Sequence, residues 1–308
     1  MGNVNPKKDI MELTGMFVWR NVVRLGYCPL ESFLSTEPML DSAIICVDPT
    51  SDRETIELCY AISDRFSKVR VIEFEWPQYS PDGRSIGIAT QYCLDQARSD
   101  YAINIQSDEV YPLALMLYLK ENWKSLVKHG ECISFKVLNS EHNAQRFQGG
   151  EPWDGTKSGD VWERGGMWNG KHGAESLGGA GYNRSIKMFK NCRGCGRIKV
   201  AHDGWSMDGC STLHHAAFSE MFPIIHLHDL MRDHLIDIRR NAAEKLWQDQ
   251  TRYGNYKASA DQIEATRDEW FNDPLWTRTT SPFMDLLPPV AQRLIGRTRY
   301  EVDWSLLE

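Results

Sequence analysis

The apolar and polar positions of this chain fall into short blocks whose spacing alternates between that of a strand and that of a helix. Met16-Phe-Val-Trp-Arg-Asn21 predicts a first strand, with a helix following through Leu30-Glu-Ser-Phe-Leu34. Ser42-Ala-Ile-Ile-Cys-Val-Asp48 is apolar at nearly every position, as a strand covered on both faces should be. It ends in Asp48, and Pro49-Thr-Ser-Asp52 supplies a turn and an N-cap for a helix from Arg53 to Phe66. Val69-Arg-Val-Ile-Glu-Phe-Glu75 predicts a third strand, the turn-rich stretch from Pro77 to Gly83 a loop, and Ser85 to Arg98 a helix. In the fourth strand Tyr101, Ile103 and Ile105 alternate, and the run then stops at Asp108 and Glu109. Strand and helix in alternation at this spacing predict an α/β protein with a parallel, doubly wound sheet.

The pattern continues with a helix after Pro112 as far as Lys128 and a strand over Cys132-Ile-Ser-Phe-Lys-Val-Leu138. From Gly149 to Gly181 periodicity is lost, and Gly, Trp and charge take over, with Trp153, Trp162 and Trp168 among them. So long an irregular segment inside a domain is either disordered or functional. Ser185 to Lys190 and Arg197 to Val200 read as paired strands around a Cys/Gly turn. Phe222-Pro-Ile-Ile-His-Leu-His228 is an apolar segment ending in histidines, and Leu230 to Glu308 reads as largely helical, turning at Pro288-Pro289.

Composition narrows the setting. In 308 residues, 42% hydrophobic and 25% charged positions are ample for one large α/β domain, or one with an extension, in a soluble protein. No run approaches the roughly 18 apolar residues of a membrane span. The polar start Met1-Gly-Asn-Val-Asn-Pro-Lys-Lys-Asp has no apolar signal core, so a cytoplasmic protein is expected. Eight cysteines there are thiols or metal ligands before they are disulfides. A net charge of -7 weighs against general nucleic-acid binding, which needs a basic surface to release counterions. The eleven tryptophans serve either as core side chains or as stacking platforms for sugars or bases.

Candidate chemistry concentrates where the fourth strand ends. A buried strand that delivers Asp108 and Glu109 to its C-terminal end places oxygen ligands at the crevice where open α/β sheets bind. Such ligands suit a divalent cation holding a diphosphate. Read alone, the pair serves equally as two solvated acids opening a loop.

Six pieces of the chain occur in an order that resembles bacterial and phage glycosyltransferases of the family 2 type. They are Gly15-Met-Phe-Val-Trp-Arg-Asn-Val-Val-Arg-Leu-Gly-Tyr-Cys-Pro-Leu-Glu-Ser32, Gly83-Arg-Ser-Ile-Gly-Ile-Ala-Thr-Gln-Tyr-Cys-Leu-Asp95 and Asn104-Ile-Gln-Ser-Asp-Glu109, then Arg184-Ser-Ile-Lys-Met-Phe-Lys-Asn191, His202-Asp-Gly-Trp205 and Ile225-His-Leu-His228. The resemblance implies a GT-A nucleotide-diphospho-sugar fold, with a mixed, mostly parallel sheet, over residues 1–230. A donor-binding half would span 13–112 and an acceptor and catalytic half 113–230, with a helical C-terminal extension over 231–308 packed on it. It also implies an enzyme of the hexosyltransferase type.

The site residues follow from the same resemblance. Asp108 takes the last position of the family's DxD motif, which holds Mn²⁺ or Mg²⁺ on the donor diphosphate. Gln106 replaces the first Asp and would hydrogen-bond the ribose or a phosphate. His226, then His228, would add a metal ligand, and a period of two puts both on one face of a strand; structural histidines are the alternative. Asp48 matches the acid that reads the base or ribose. Arg84 would pair with a diphosphate oxygen through its planar fork, or is simply an exposed arginine. Asp203 sits where inverting members carry the base, with Asp208, Asp154 and Glu175 in reserve, and Trp205 would stack on an acceptor ring. The donor implied is a UDP-sugar. The acceptor is a glycan hydroxyl or, as in phage relatives, a hydroxymethylated pyrimidine of DNA, which the Gly/Trp/Lys segment favours and the acidic charge disfavours.

One departure from the family stands out. Cys192, Cys195, Cys210 and His214 (or His215) have the C-x2-C-x14-C-x3-H spacing of a structural zinc site, with free cysteines in a turn as the alternative. Two other readings of the whole remain open. One is a nucleotidyltransferase on a similar sheet, although Trp19-Arg-Asn-Val22 is no Gly-rich phosphate loop. The other is a zinc-stabilised binding module without catalysis.

Overall fold

The predicted alternation folds into a sheet in which β1 (Leu13–Trp19), β2 (Ser42–Val47), β3 (Val69–Glu73) and β4 (Tyr101–Ile105) all run parallel. The structure, a computed structural model, describes residues 11–77, 84–141, 146–148, 182–191, 199–201, 206–208, 212–227, 276–278, 287–295, 297 and 299–308. Four helices connect the first strands: α1 (Pro29–Thr36), α2 (Arg53–Arg65), α3 (Arg84–Gln96) and α4 (Leu113–Leu126). A two-residue β5 (Glu109–Val110) precedes α4, and β6 (Cys132–Glu141) and β7 (Arg146–Gln148) follow it. Next come β8 (Tyr182–Lys190), β9 (Lys199–Ala201), β10 (Ser206–Asp208), β11 (Leu213–His215) and β12 (Ile224–His226). β13 (Trp276–Arg278) and the short α5 (Pro289–Gln292) complete the elements used below.

The strand order is β13-β7-β6-β8-β4-β1-β2-β3. β8 lies antiparallel to both β4 and β6, so one reversed strand sits inside an otherwise parallel centre. This is the mixed, mostly parallel, Rossmann-like sheet of the GT-A type. β1 and β2 read as continuous apolar runs because both faces are covered. On one face Phe17, Trp19, Ile45 and Val47 pack with Leu30 and Phe33 of α1, Leu58 and Ile62 of α2 and Leu115 of α4. On the other face Met16, Ile44 and Cys46 meet Cys93 and Leu94 of α3. Gly15 leaves room in β1 for Leu40, whose methyl would lie 2.4 Å from a Cβ there and would have to shift.

The helix boundaries follow local chemistry. Asp52 caps α2 by accepting the Thr55 N–H at 2.9 Å, and Pro29 opens α1 where its missing N–H costs nothing. The chain passes from β1 outward to β2 and β3, then returns to place β4 on the other side of β1. That reversal is a topological switch point, and the loops after β1 and β4 flank the crevice beyond the strand ends.

One expectation needs correction, and two short strands were not foreseen. β9 pairs antiparallel with β10 and not with β8, so the segments around the Cys/Gly turn do not form one hairpin with each other among the described residues. A three-residue strand, β13, paired with β7, lies within the stretch after Leu230, most of which lies outside the described residues. β5, unpredicted, exists through its pairing with β12. The segment from Gly149 to Gly181 lies outside the described residues.

Candidate functional site

The loops at the crevice are tied to one another. Asp48, just past β2, is fully buried. One of its oxygens accepts the N–H and the hydroxyl of Thr50, at 2.8 and 2.7 Å. The other faces Arg20 Nε at 3.2 Å and the Trp76 N–H at 3.4 Å. A carboxylate offers about four lone-pair sites, and Asp48 uses three of them in hydrogen bonds beside its ion pair with Arg20. It binds the loop after β1, its own turn and the segment after β3 into one wall. Asn21 adds to that wall from a left-handed backbone, φ 53, that its short polar side chain tolerates. Its side-chain carbonyl accepts the Asp52 N–H at 2.8 Å, and its own N–H donates to Ser51 Oγ at 3.2 Å. The Arg20 guanidinium lies 5.7 Å from the centre of the Trp76 ring, within cation–π range. Sequence reasoning did not single out Arg20 or Trp76; their only signal was a position just beyond a strand.

The second wall is the turn after β4. The Glu109 N–H donates to the Gln106 carbonyl at 3.1 Å, and the same carbonyl accepts Ser32 Oγ of α1 at 2.7 Å. β12 pairs antiparallel with β5, setting His226 opposite Glu109, and the Leu227 N–H donates to the Asp108 carbonyl at 2.6 Å. This pairing brings the His226 ring to the Asp108 carboxylate, with Nε2 and Oδ2 3.0 Å apart. Their side chains keep 16% and 11% exposure, so the pair lies just beneath the surface. Burial pushes the His226 imidazolium towards release of its proton, but the charge and hydrogen bond of Asp108, with Glu109 behind it, outweigh burial and raise its pKa above 6.5.

The adjacent acid does different work. Glu109 is buried and bonded to Lys187 of β8, which is itself 1% exposed, and its other oxygen accepts the Gln106 N–H at 3.2 Å. Glu109 therefore braces the turn and neutralises a buried lysine, leaving Asp108 as the acid beside His226. Lys187 was missed because a lysine in an alternating strand reads as a solvent-facing residue. Burial and then the Glu109 charge also push the Tyr111 phenol well up, so it stays neutral.

The geometry suits a divalent cation. Two ligands at right angles on an octahedral ion, each about 2.0–2.2 Å from it, lie about 3 Å apart. Asp108 Oδ2 and His226 Nε2 have that separation, 3.0 Å. The carboxylate oxygen suits Mn²⁺ or Mg²⁺, whereas the imidazole is a ligand typical of softer ions such as Fe²⁺ or Zn²⁺. No group of three His, Cys, Asp or Glu able to hold a metal occurs among the described residues. Two protein ligands with phosphate oxygens and water completing the shell is a common way to hold Mg²⁺.

The other candidates are placed unevenly. Arg84 is the first residue of α3, and Asp208 is the last of β10. His228, Asp203, Asp154, Glu175, Cys192, Cys195 and Cys210 lie outside the described residues. His214 lies in β11 with its ring 5.0 Å from that of His129. Burial and the charges of His129 and His215 lower its pKa, favouring the neutral form that metals require. His215 is engaged: Nδ1 is 3.3 Å from Ser134 Oγ, and Nε2 is 2.7 Å from Glu220, whose other oxygen is 3.0 Å from Lys136. This Ser-His-Glu series is internal, because Ser134 is buried. A concavity lined by Tyr101, Lys128, His129, Glu131, Lys190 and Thr212 lies at the opposite end of β4 and contains none of the site residues.

No helix among the described residues is long and apolar enough to cross a membrane. No protein-family model matches the chain, and no curated protein does. Among solved structures it is similar to S. aureus TarS 1-349 in complex with UDP-GlcNAc, at 13% identity and a TM-score of 0.41, over 92% of this chain and 84% of that one. It is similar to S. aureus TarS 1-349 at 12% identity and a TM-score of 0.38, over 92% and 77% of the two chains. A CMP:2-keto-3-deoxy-manno-octonic acid synthetase complexed with CTP is similar at 11% identity and a TM-score of 0.32, over 58% and 74%. These likenesses are distant, and the fold assignment rests on the strand order and the direction of β8.

Proposed function

We propose that the chain is a metal-dependent glycosyltransferase that moves a sugar from a nucleotide-diphosphate donor, a UDP-sugar, to a hydroxyl acceptor with inversion. The observation that carries this reading is the Asp108–His226 contact of 3.0 Å, at the end of β4 beside the crevice. A Mn²⁺ or Mg²⁺ ion held there would act as a Lewis acid on the leaving diphosphate. Asp108 and His226 hold that cation, His228 serves as a second imidazole ligand, and the Gln106 side chain hydrogen-bonds ribose or phosphate. Asp48 works indirectly, keeping Arg20 and the Trp76 segment fixed at the nucleotide end, and Arg84 meets the diphosphate from the start of α3. Asp203 takes the proton from the acceptor hydroxyl as general base. Cys192, Cys195, Cys210 and His214 would hold a structural zinc that pins the Asp203 loop.

The test is a panel of nucleotide sugars incubated with the protein and Mn²⁺, scored for donor hydrolysis and transfer. The reading expects turnover of one donor class that chelation abolishes. Activity indifferent to chelation removes the metal, and release of pyrophosphate from a nucleoside triphosphate points instead to nucleotidyl transfer. Asp203→Asn should keep donor affinity and lose transfer. The net charge of -7 favours a glycan acceptor. A DNA acceptor predicts instead that activity falls steeply with added salt.

A further inference from the structure

The turn that carries Asp108 is held from behind by α1, and α1 is held by residues more than 260 positions further along the chain. Ser32 Oγ donates to the Gln106 carbonyl at 2.7 Å, and Ser35 Oγ accepts the Tyr111 N–H at 3.1 Å. The segment from Gln106 to Tyr111 is thus clamped at both ends by one face of α1. Glu31, next to Ser32, is fully buried. Its carboxylate is bonded to the Arg293 guanidinium and accepts the Tyr300 hydroxyl at 3.0 Å. Arg293 also lies 3.7 Å from Asp303. The segment is seated by apolar packing as well, because Leu287, Ala291, Leu294, Tyr300 and Val302 are buried in the core cluster that contains Leu30 and Phe33 of α1. Burial first, then the charges of Glu31 and Asp108, push the Cys28 thiol well up, so both carboxylates act on one buried point at the start of α1.

We propose that Arg293 and Tyr300 are positioning residues for the cation site: by holding Glu31 they fix α1, and through Ser32 and Ser35 they fix the turn that presents Asp108. This rests on the metal-dependent reading above. A residue in the last twentieth of the chain thereby sets the geometry of a site built from the fourth strand. A glutamate buried beneath a helix's first turn, at 0% exposure, is otherwise an expensive place for a charge. The distant arginine and tyrosine, with a backbone hydrogen bond, offset that cost, so removing either should loosen the helix that carries Glu31.

The experiment uses the full chain with Tyr300→Phe, Glu31→Gln, Ser32→Ala and, as control, Leu94→Ala, which loosens the separate core cluster on the α3 face of the sheet. Two readouts are taken: amide hydrogen exchange at Glu109 and Tyr111, and Mn²⁺ affinity measured without nucleotide. Losing one buried hydrogen bond in the chain should weaken Mn²⁺ binding roughly threefold to tenfold. It should also speed exchange at both amides in the first three variants. Leu94→Ala should lower the melting temperature while leaving both readouts at the wild-type value. Variants that lose thermal stability with exchange at Glu109 and Tyr111 unchanged would overturn the proposal. If the wild type binds no Mn²⁺, the metal reading falls, and the exchange arm alone still decides whether the C-terminal segment fixes the turn.

Discussion

At the scale of single residues, Asp108 and His226 share a proton at 3.0 Å, and the cation proposed above would compete with that proton. The raised pKa of His226 has a definite sign: its folded value lies above the unfolded 6.5. The stabilisation it gives the metal-free protein is therefore complete below pH 6.5 and fades as pH rises through the folded pKa. In chelator, the melting temperature should decline across that interval, and His226→Gln should flatten the decline. Mn²⁺ must displace the same proton, so its affinity should climb with pH over the same window, with proton release seen by calorimetry in buffers of different ionisation enthalpy. The neighbouring pair behaves differently. Lys187→Met leaves the Glu109 carboxylate buried without its cation and should cost about 3–5 kcal/mol in urea denaturation. Adding Glu109→Gln should recover much of that loss, because the stranded charge is then gone. Recovery near zero would mean that Glu109 is not what Lys187 balances.

At the scale of elements, local pattern predicted what local forces build. β2 and the helix after it were readable because an apolar run ends at Asp48 and Asp52 offers a cap. That cap gives a prediction: Asp52→Ala should destabilise the protein by about 0.5–2 kcal/mol in chemical denaturation, with donor-independent properties otherwise unchanged. What the pattern missed is made by pairing across long separations. β5 is two residues long and has no periodicity of its own; it is a strand because β12 lies beside it. β13 reads as part of a helical stretch until β7 claims it. β9 turns to β10 because partner choice is not written in alternation. The same limit hid Glu31, which looks like an ordinary acid in the first turn of a helix and whose partners lie 262 and 269 positions away.

At the scale of the molecule, the reversal of strand order around β1 decides where chemistry can occur. The loops after β1, β2 and β4 all open at the same end of the sheet, and Asp48, directly after β2, and Asp108, three residues after β4, were legible as candidates from the apolar runs before them and from the family resemblance. Their division of labour was not legible. Asp48 accepts three hydrogen bonds and pairs with Arg20, and only folded geometry reveals that it ties the wall together while Asp108 faces a histidine. The most direct test of the central claim is calorimetric binding of UDP to the full chain, with and without Mn²⁺, for wild type and Asp108→Ala. UDP should bind the wild type with Mn²⁺ present, its affinity should fall at least tenfold without Mn²⁺, as loss of a charge-assisted contact of about 1.5–3 kcal/mol implies, and Mn²⁺ should have no effect in Asp108→Ala. UDP affinity that is identical in all four measurements would contradict that claim.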